Sequence, residues 1–411
     1  MRRGLLSIAV LIVALAGTVG CRSAPPPRPY EPVPATLPQV ARQLALPDVS
    51  LIDDAVPQPV GVSVEPYHQL SAEECRHLAC TNAAAAILID NMAADKPDPF
   101  PWLKSHSSAD RLRVITARNL SNEARLRSAA AALELYYKLQ EAELLSDVLA
   151  TSQAEVDKLV ESGKVMADRG FTESADYLKL RQQQIELRAD RAKLQNGIRR
   201  INVELKVLLR LDTTAGRILP SDAIHVNSES LNADQAVQVA IAGRPDLELL
   251  RDLIRGLDAS TVAAVRQTFA GLVPPLGAVT AATRIFAPGF RALFPMLADG
   301  DVEGLRRQLQ LHLADREREV AKDLRATVDE WYMQRELVSV ARRRQALEAE
   351  RVRELTVKKS KGASVETEYR RALIDKLTAD ANVIREAVKW KQIDVRARRE
   401  MGLLCTVNGC R

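Results

Sequence analysis

From Leu120 to Asp212 the chain alternates apolar and polar positions on a helical period. Leu180, Leu187, Leu194, Ile201 and Leu208 stand seven residues apart, with Ile198 and Leu205 at intermediate positions, so one narrow coiled-coil seam runs along this limb. Most residues between them are Arg, Lys, Glu, Gln and Ala, helix formers that leave the other faces wet. Gly170 divides the stretch, which predicts two long helices folded against each other there. At ~1.5 Å per residue the two limbs span roughly 70 Å and roughly 60 Å.

A second copy follows from Glu317 to Leu404. Trp331-Tyr332 matches Tyr136-Tyr137, Gly362 matches Gly170, and Met401-Gly-Leu-Leu matches the close at Leu208-Leu-Arg-Leu. Leu211 lies 41 residues after Gly170, and Leu403 lies 41 after Gly362. A shorter echo precedes each hairpin, beginning Leu70-Ser-Ala-Glu-Glu-Cys and Leu231-Asn-Ala-Asp-Gln-Ala, each with a Ser or Asn placed to cap a helix and acids in its first turn. The expected fold is all-α, a duplication of long coiled-coil helical hairpins with little or no β-barrel. Repeat 1 covers 67–225 and repeat 2 covers 226–404, the latter with an apolar, proline-interrupted insertion at 255–301. That insertion does not alternate as a membrane strand does, so amphipathic helices on a membrane or between subunits, or a plain buried patch, are the readings it leaves open.

The ends add a location. Arg2-Arg3, an apolar run from Leu5 to Val19 and Gly20-Cys21 read as a lipoprotein signal peptide over 1–20, although Thr18 stands where such a box usually has Leu. Cys21 is the expected lipidation site, and Ser23 favours retention in the outer membrane over the inner. Residues 21–66 are then the anchor and a proline-rich spacer, with the body in the periplasm.

Composition narrows the function classes. Aromatic residues are 4% and charged residues 27%, a balance suited to helical rods. The formal charge of +5 is small for 411 residues, so no nucleic-acid partner is expected. His68, His77, His106, His225 and His312 are scattered, and no nucleophile, phosphate cradle or paired carboxylates emerge, so neither an enzyme nor a cofactor is expected. Cys75, Cys80, Cys405 and Cys410 are an even set for an oxidising compartment. Cys405 and Cys410 could close on each other in the tail at 405–411, whereas Cys75 and Cys80, five apart on one predicted helix, need a helix end or partners elsewhere. Cys75, His77 and Cys80 lack a fourth ligand and zinc spacing, so no metal site is expected.

The order and duplication of these elements resemble the TolC-like outer-membrane efflux factors, over Leu70 to Leu404. Asn232-Ala-Asp-Gln-Ala-Val-Gln-Val-Ala-Ile-Ala-Gly-Arg-Pro-Asp-Leu is similar to the helix that ends in Arg-Pro-Asp-Leu in that family. The resemblance implies a homotrimer whose twelve long helices enclose a periplasmic tunnel. It also implies a periplasmic adaptor, serving an inner-membrane pump, that docks at the hairpin tips. Carried over, those tips are Arg169-Gly170-Phe171 and Lys361-Gly362-Ala363, where a bare turn would equally want glycine. The chain departs from the family in having no room for two barrel strands in repeat 1 and no alternation in repeat 2, so it is not expected to span the outer membrane unaided. The leading expectation is an envelope export component. The alternative is a structural lipoprotein that tethers or spaces membranes.

Overall fold

The computed structural model describes residues 67–94, 108–170, 174–213, 216–226, 230–265, 302–362 and 364–405. The signal peptide, Cys21, the spacer up to residue 66, Phe171, Ala363, Cys410 and most of the apolar insertion lie outside these described residues.

The first half begins with strand β1, Tyr67–Leu70, and two short helices, α1 at Ala72–Thr81 and α2 at Ala84–Ala94. The first hairpin is α3, Ser108–Asp168, and α4, Ser174–Leu209. Strand β2, Arg217–Pro220, follows. In the second half α5 covers Ala233–Gly243 and α6 covers Pro245–Arg255, ahead of the hairpin of α7, Val302–Ser360, and α8, Glu366–Glu400. With 61 and 59 residues the outgoing helices reach about 90 Å, and with 36 and 35 the returning ones reach about 50 Å.

Both outgoing helices begin several turns before the coiled-coil pattern does. Their early turns converge on α6, where Leu112 from α3 and Leu305 and Leu309 from α7 pack with Leu249, Leu250 and Leu253. The two caps are as the sequence suggests. The Ser71 hydroxyl accepts from the Glu74 N–H at 3.2 Å while the Ser71 N–H donates to the Glu74 carboxylate at 2.9 Å. Asn232 Oδ1 accepts from the N–H groups of Asp234 and Gln235, both at 3.0 Å.

The long helices pack in the order α4, α3, α8, α7. Within hairpin 1, the α3–α4 core holds Leu133, Tyr136, Leu139, Ile198, Leu205 and Leu209. The hairpins join where Leu144 and Val148 of α3 meet Leu377, Ala381, Ile384 and Val388 of α8. α1 packs beside α3 and α4, and α5 packs beside α7, so each half buries its short helix against its own hairpin.

One feature departs from the sequence-based picture. The strands β1 and β2 pair in parallel, Tyr67 opposite Arg217 and Leu70 opposite Pro220, where no strand was expected. Asn202 on α4 holds the pair in place: its Oδ1 accepts from the Ile218 N–H at 2.7 Å and its Nδ2 donates to the Ile218 carbonyl at 3.2 Å. Trp331 packs on Trp390 inside hairpin 2, with ring centroids 5.3 Å apart, whereas Tyr136 and Tyr137 belong to clusters that include residues of both hairpins.

The Arg244-Pro-Asp-Leu stretch is a clamp. Asp246, 3% exposed, accepts from Nε and Nη2 along one edge of the Arg244 guanidinium at 2.9 and 2.8 Å and from two N–H groups of Arg316 at 3.1 and 3.2 Å. Arg244 also donates to the Glu400 carbonyl at 3.1 Å, which ties α6 to the end of α8. Burial pushes the Asp246 carboxyl up, but the two guanidiniums outweigh it and hold its pKa below the usual value. A depressed carboxyl contributes stability above its unfolded pKa, and that stability is lost as pH falls through the folded pKa. Asp246→Asn is expected to cost about 3–5 kcal/mol, since it strands two guanidiniums. Urea unfolding followed by circular dichroism should show that loss near neutral pH, with a smaller gap between the two proteins in acid.

Candidate assembly edges and hairpin tips

α3 and α8 are flanked by long helices on both sides, whereas α4 and α7 each pack along one. The outer pair therefore keeps apolar side chains in water. On α4 these are Leu178, Ile185, Val203 and Val207, and on α7 Met333, Leu337, Val340 and Leu347. The α7 set falls at steps of four, three and seven, one stripe of a helix, and Leu347 is 66% exposed. Such stripes along both edges are what a partner helix covers in a coiled coil. The seam named from the heptad faces inward: Ile198 and Leu205 are buried, and Leu180, Leu187, Leu194, Ile201 and Leu208 are half-buried.

At the tips, Gly170 has φ +73° and Gly362 has φ +82°. Their N–H groups donate to Ala167 and Lys359 carbonyls at 3.0 Å, closing the last turn of α3 and α7. The left-handed backbone explains both glycines as turn residues. A side chain at either would meet open space, so the tips also offer bare backbone to whatever approaches. Arg169 and Lys361 are exposed beside them.

Of the cysteine pairings the sequence leaves open, the structure holds one between the tail and α1. Cys405 is bonded to Cys80, not to Cys410, with Cα atoms 6.2 Å apart. The reason is that the end of α8 returns to α1, where Arg76 donates to the Leu404 carbonyl. Cys75 is free and wholly buried, and burial pushes its thiol up to about 12. A thiol kept from ionising is a poor nucleophile. Among the described residues no group of three His, Cys, Asp or Glu side chains could hold a metal, and no helix is long and apolar enough to cross a membrane.

Two hairpins in a row, with apolar stripes left open on both outer helices, define an all-α duplicated-hairpin protein. No family model matches the chain, and no curated protein matches it in sequence. Solved structures do resemble it. The open-state MtrE outer membrane channel of Neisseria gonorrhoeae is similar at a TM-score of 0.54 and 12% identity, over 80% of this chain and 88% of that one. The CmeC outer membrane channel of Campylobacter jejuni gives 0.53 and 9%, over 80% and 85%. The CusC channel gives 0.54 and 13%, over 80% and 95%. At these identities the likeness is one of fold, and the fold is that of the TolC-like outer-membrane efflux channels.

Gly170→Ala and Gly362→Ala should each destabilise their tip by about 1 kcal/mol through backbone strain alone. Amide exchange in the final turn of α3 or α7 measures it, and unchanged exchange would refute the turn role. Peptide mapping without reductant should recover a Cys80–Cys405 cross-linked pair. Cys75 should resist alkylation until the chain is unfolded.

Proposed function

We propose that this chain is an envelope export component. Three copies close edge to edge, α4 of one against α7 of the next, into a helical conduit. It is anchored in the outer membrane by lipid on Cys21 and its body stands in the periplasm. The segments Arg169-Gly170-Phe171 and Lys361-Gly362-Ala363 meet the periplasmic adaptor of an inner-membrane pump. The chain works through shape and assembly, without a catalytic group or cofactor.

The observation that carries this reading is the pair of open apolar stripes on the two outer helices, since a monomer would leave both in water. The channel fold supports it. A closed ring needs a heterologous contact repeated by rotation, and stripes on opposite edges of one row supply it.

One observation favours a second reading, a tether between membranes without transport. Only 13 residues separate Ala94 from Ser108, too few for two membrane-spanning strands of about 9–11 residues each. Gene deletion separates the two: sensitivity to toxic compounds follows from loss of export, and altered envelope spacing or shape from loss of a tether.

Light scattering of the lipidated mature chain in mild detergent should give a trimer mass. Ile185→Asp and Val340→Asp, each placing a charge in an open stripe, should reduce it to a monomer with helicity unchanged. A monomer for the parent chain, or trimers for both variants, would overturn the edge-to-edge assembly.

A further inference from the structure

We infer that the second hairpin tip, with the cleft beside it, is a docking surface for an acidic, amphipathic helical segment of a partner protein. The inference rests on the reading that the tips meet a partner, and it specifies that partner's chemistry.

The two tips are alike in backbone and opposite in charge. Over 351–371, centred near Gly362, there are seven Lys and Arg against three Asp and Glu. Over the equivalent 159–179 around Gly170 there are three against four. A turn needs only its glycine, so turn-making does not account for the difference.

Part of the positive charge at tip 2 is engaged inside the fold. Lys359 pairs with Glu366 at 2.6 Å and lies over the Tyr369 ring. Arg370 reaches Glu155 on α3 at 2.7 Å and also Glu366, and Arg351 faces Asp375 at 3.4 Å. What remains, exposed and without an ion pair among the described residues, is Arg353, Lys358, Lys361 and Arg371, against Glu354 and Glu368. The free balance is thus still positive, and it sits at the end of the hairpin rather than along its shaft.

Beside these cations lies a cleft of mixed lining, about 250 Å³, where the two hairpins meet. Its apolar part is Leu159 and Met166 of α3 with Leu180 of α4, and Lys179, Gln183, Thr367 and Arg371 are among its polar residues. A Cβ on Gly163 would stand 3.3 Å from Leu180 Cδ1, so a side chain there would crowd the cleft wall. Met166 is 49% exposed, and Val357 on the last turn of α7 is 51% exposed between Arg353 and Lys358. Apolar side chains from one face of a helix fit the cleft, and carboxylates on its flanks fit Arg371, Lys358 and Lys361. This is helix-in-groove recognition with charge complementarity setting its specificity.

The test uses the full mature chain in mild detergent and a fluorescent stapled helix carrying Leu on one face and Glu on the others, followed by anisotropy. Binding should weaken about tenfold between about 50 mM and about 300 mM salt. Lys358→Glu/Lys361→Glu, and separately Arg371→Glu, should each weaken it about tenfold. Lys193→Glu, on the exposed shaft of α4, should leave it within about twofold, and the same peptide with Lys for Glu should not bind. Equal binding of the Lys peptide, an equal loss from the Lys193→Glu variant, or tight binding of polyglutamate without an apolar face would overturn the inference. Light scattering on the same samples separates the two readings: a trimer that ignores the peptide overturns only this inference. A monomer overturns the conduit, while its tip and cleft, both within one chain, still report on the peptide.

Discussion

The contact between α3 and α8 is the constraint on which the rest of the molecule depends. Each hairpin can cover one stripe of its own helices, and this contact joins the two hairpins along their shafts, through Leu144 and Val148 on one side and Ala381, Ile384 and Val388 on the other. Once α3 and α8 are central, α4 and α7 are outermost in the row, and the stripes through Ile185 and Val340 have no cover among the described residues. The open edges follow from the order of packing, as the closed seams do. A helix row of this kind has no internal reason to stop at four.

Polar groups fix how the short elements sit on this row. Asp246 binds two arginines and with them α6, α7 and the end of α8. Asp222 has a comparable place in the first half: its carboxylate accepts from the Ala72 N–H at 2.6 Å and from the Tyr136 hydroxyl at 3.3 Å, which ties the stretch after β2 to the start of α1. Asn202 satisfies both polar groups of Ile218 with one amide. Each joins segments far apart in sequence and replaces water that packing has excluded.

How much of this was legible depended on how many neighbours an element has. α4 packs along one long helix, so its apolar positions fall into a plain heptad from Leu180 to Leu208. α3 is covered from several sides, and Ala129, Ala130, Ala132, Leu133 and Tyr136 are all buried, a run that blurs any single period. Its start was misread for that reason, because the turns around Leu112 face α6 and not the seam. The tip glycines stood out because a left-handed turn at a helix end selects glycine. β1 and β2 did not, since strands of four residues, held by a side chain from another element, carry too little alternation to register. The Cys80–Cys405 pairing was equally hidden: it depends on the end of α8 arriving over α1, a fact of the whole row rather than of the tail.

That bond lends the body a timing. Its two sulfurs are 325 residues apart, and Cys405 follows the whole of hairpin 2. Hairpin 1 can form as soon as its own residues are available, but the ring that holds α1 to the close of α8 cannot be sealed while any part of hairpin 2 is still to come. A chain cut short anywhere before Cys405 keeps its leading helices and lacks the link. The disulfide therefore distinguishes a finished molecule from an interrupted one, and the distinction is written in covalent chemistry.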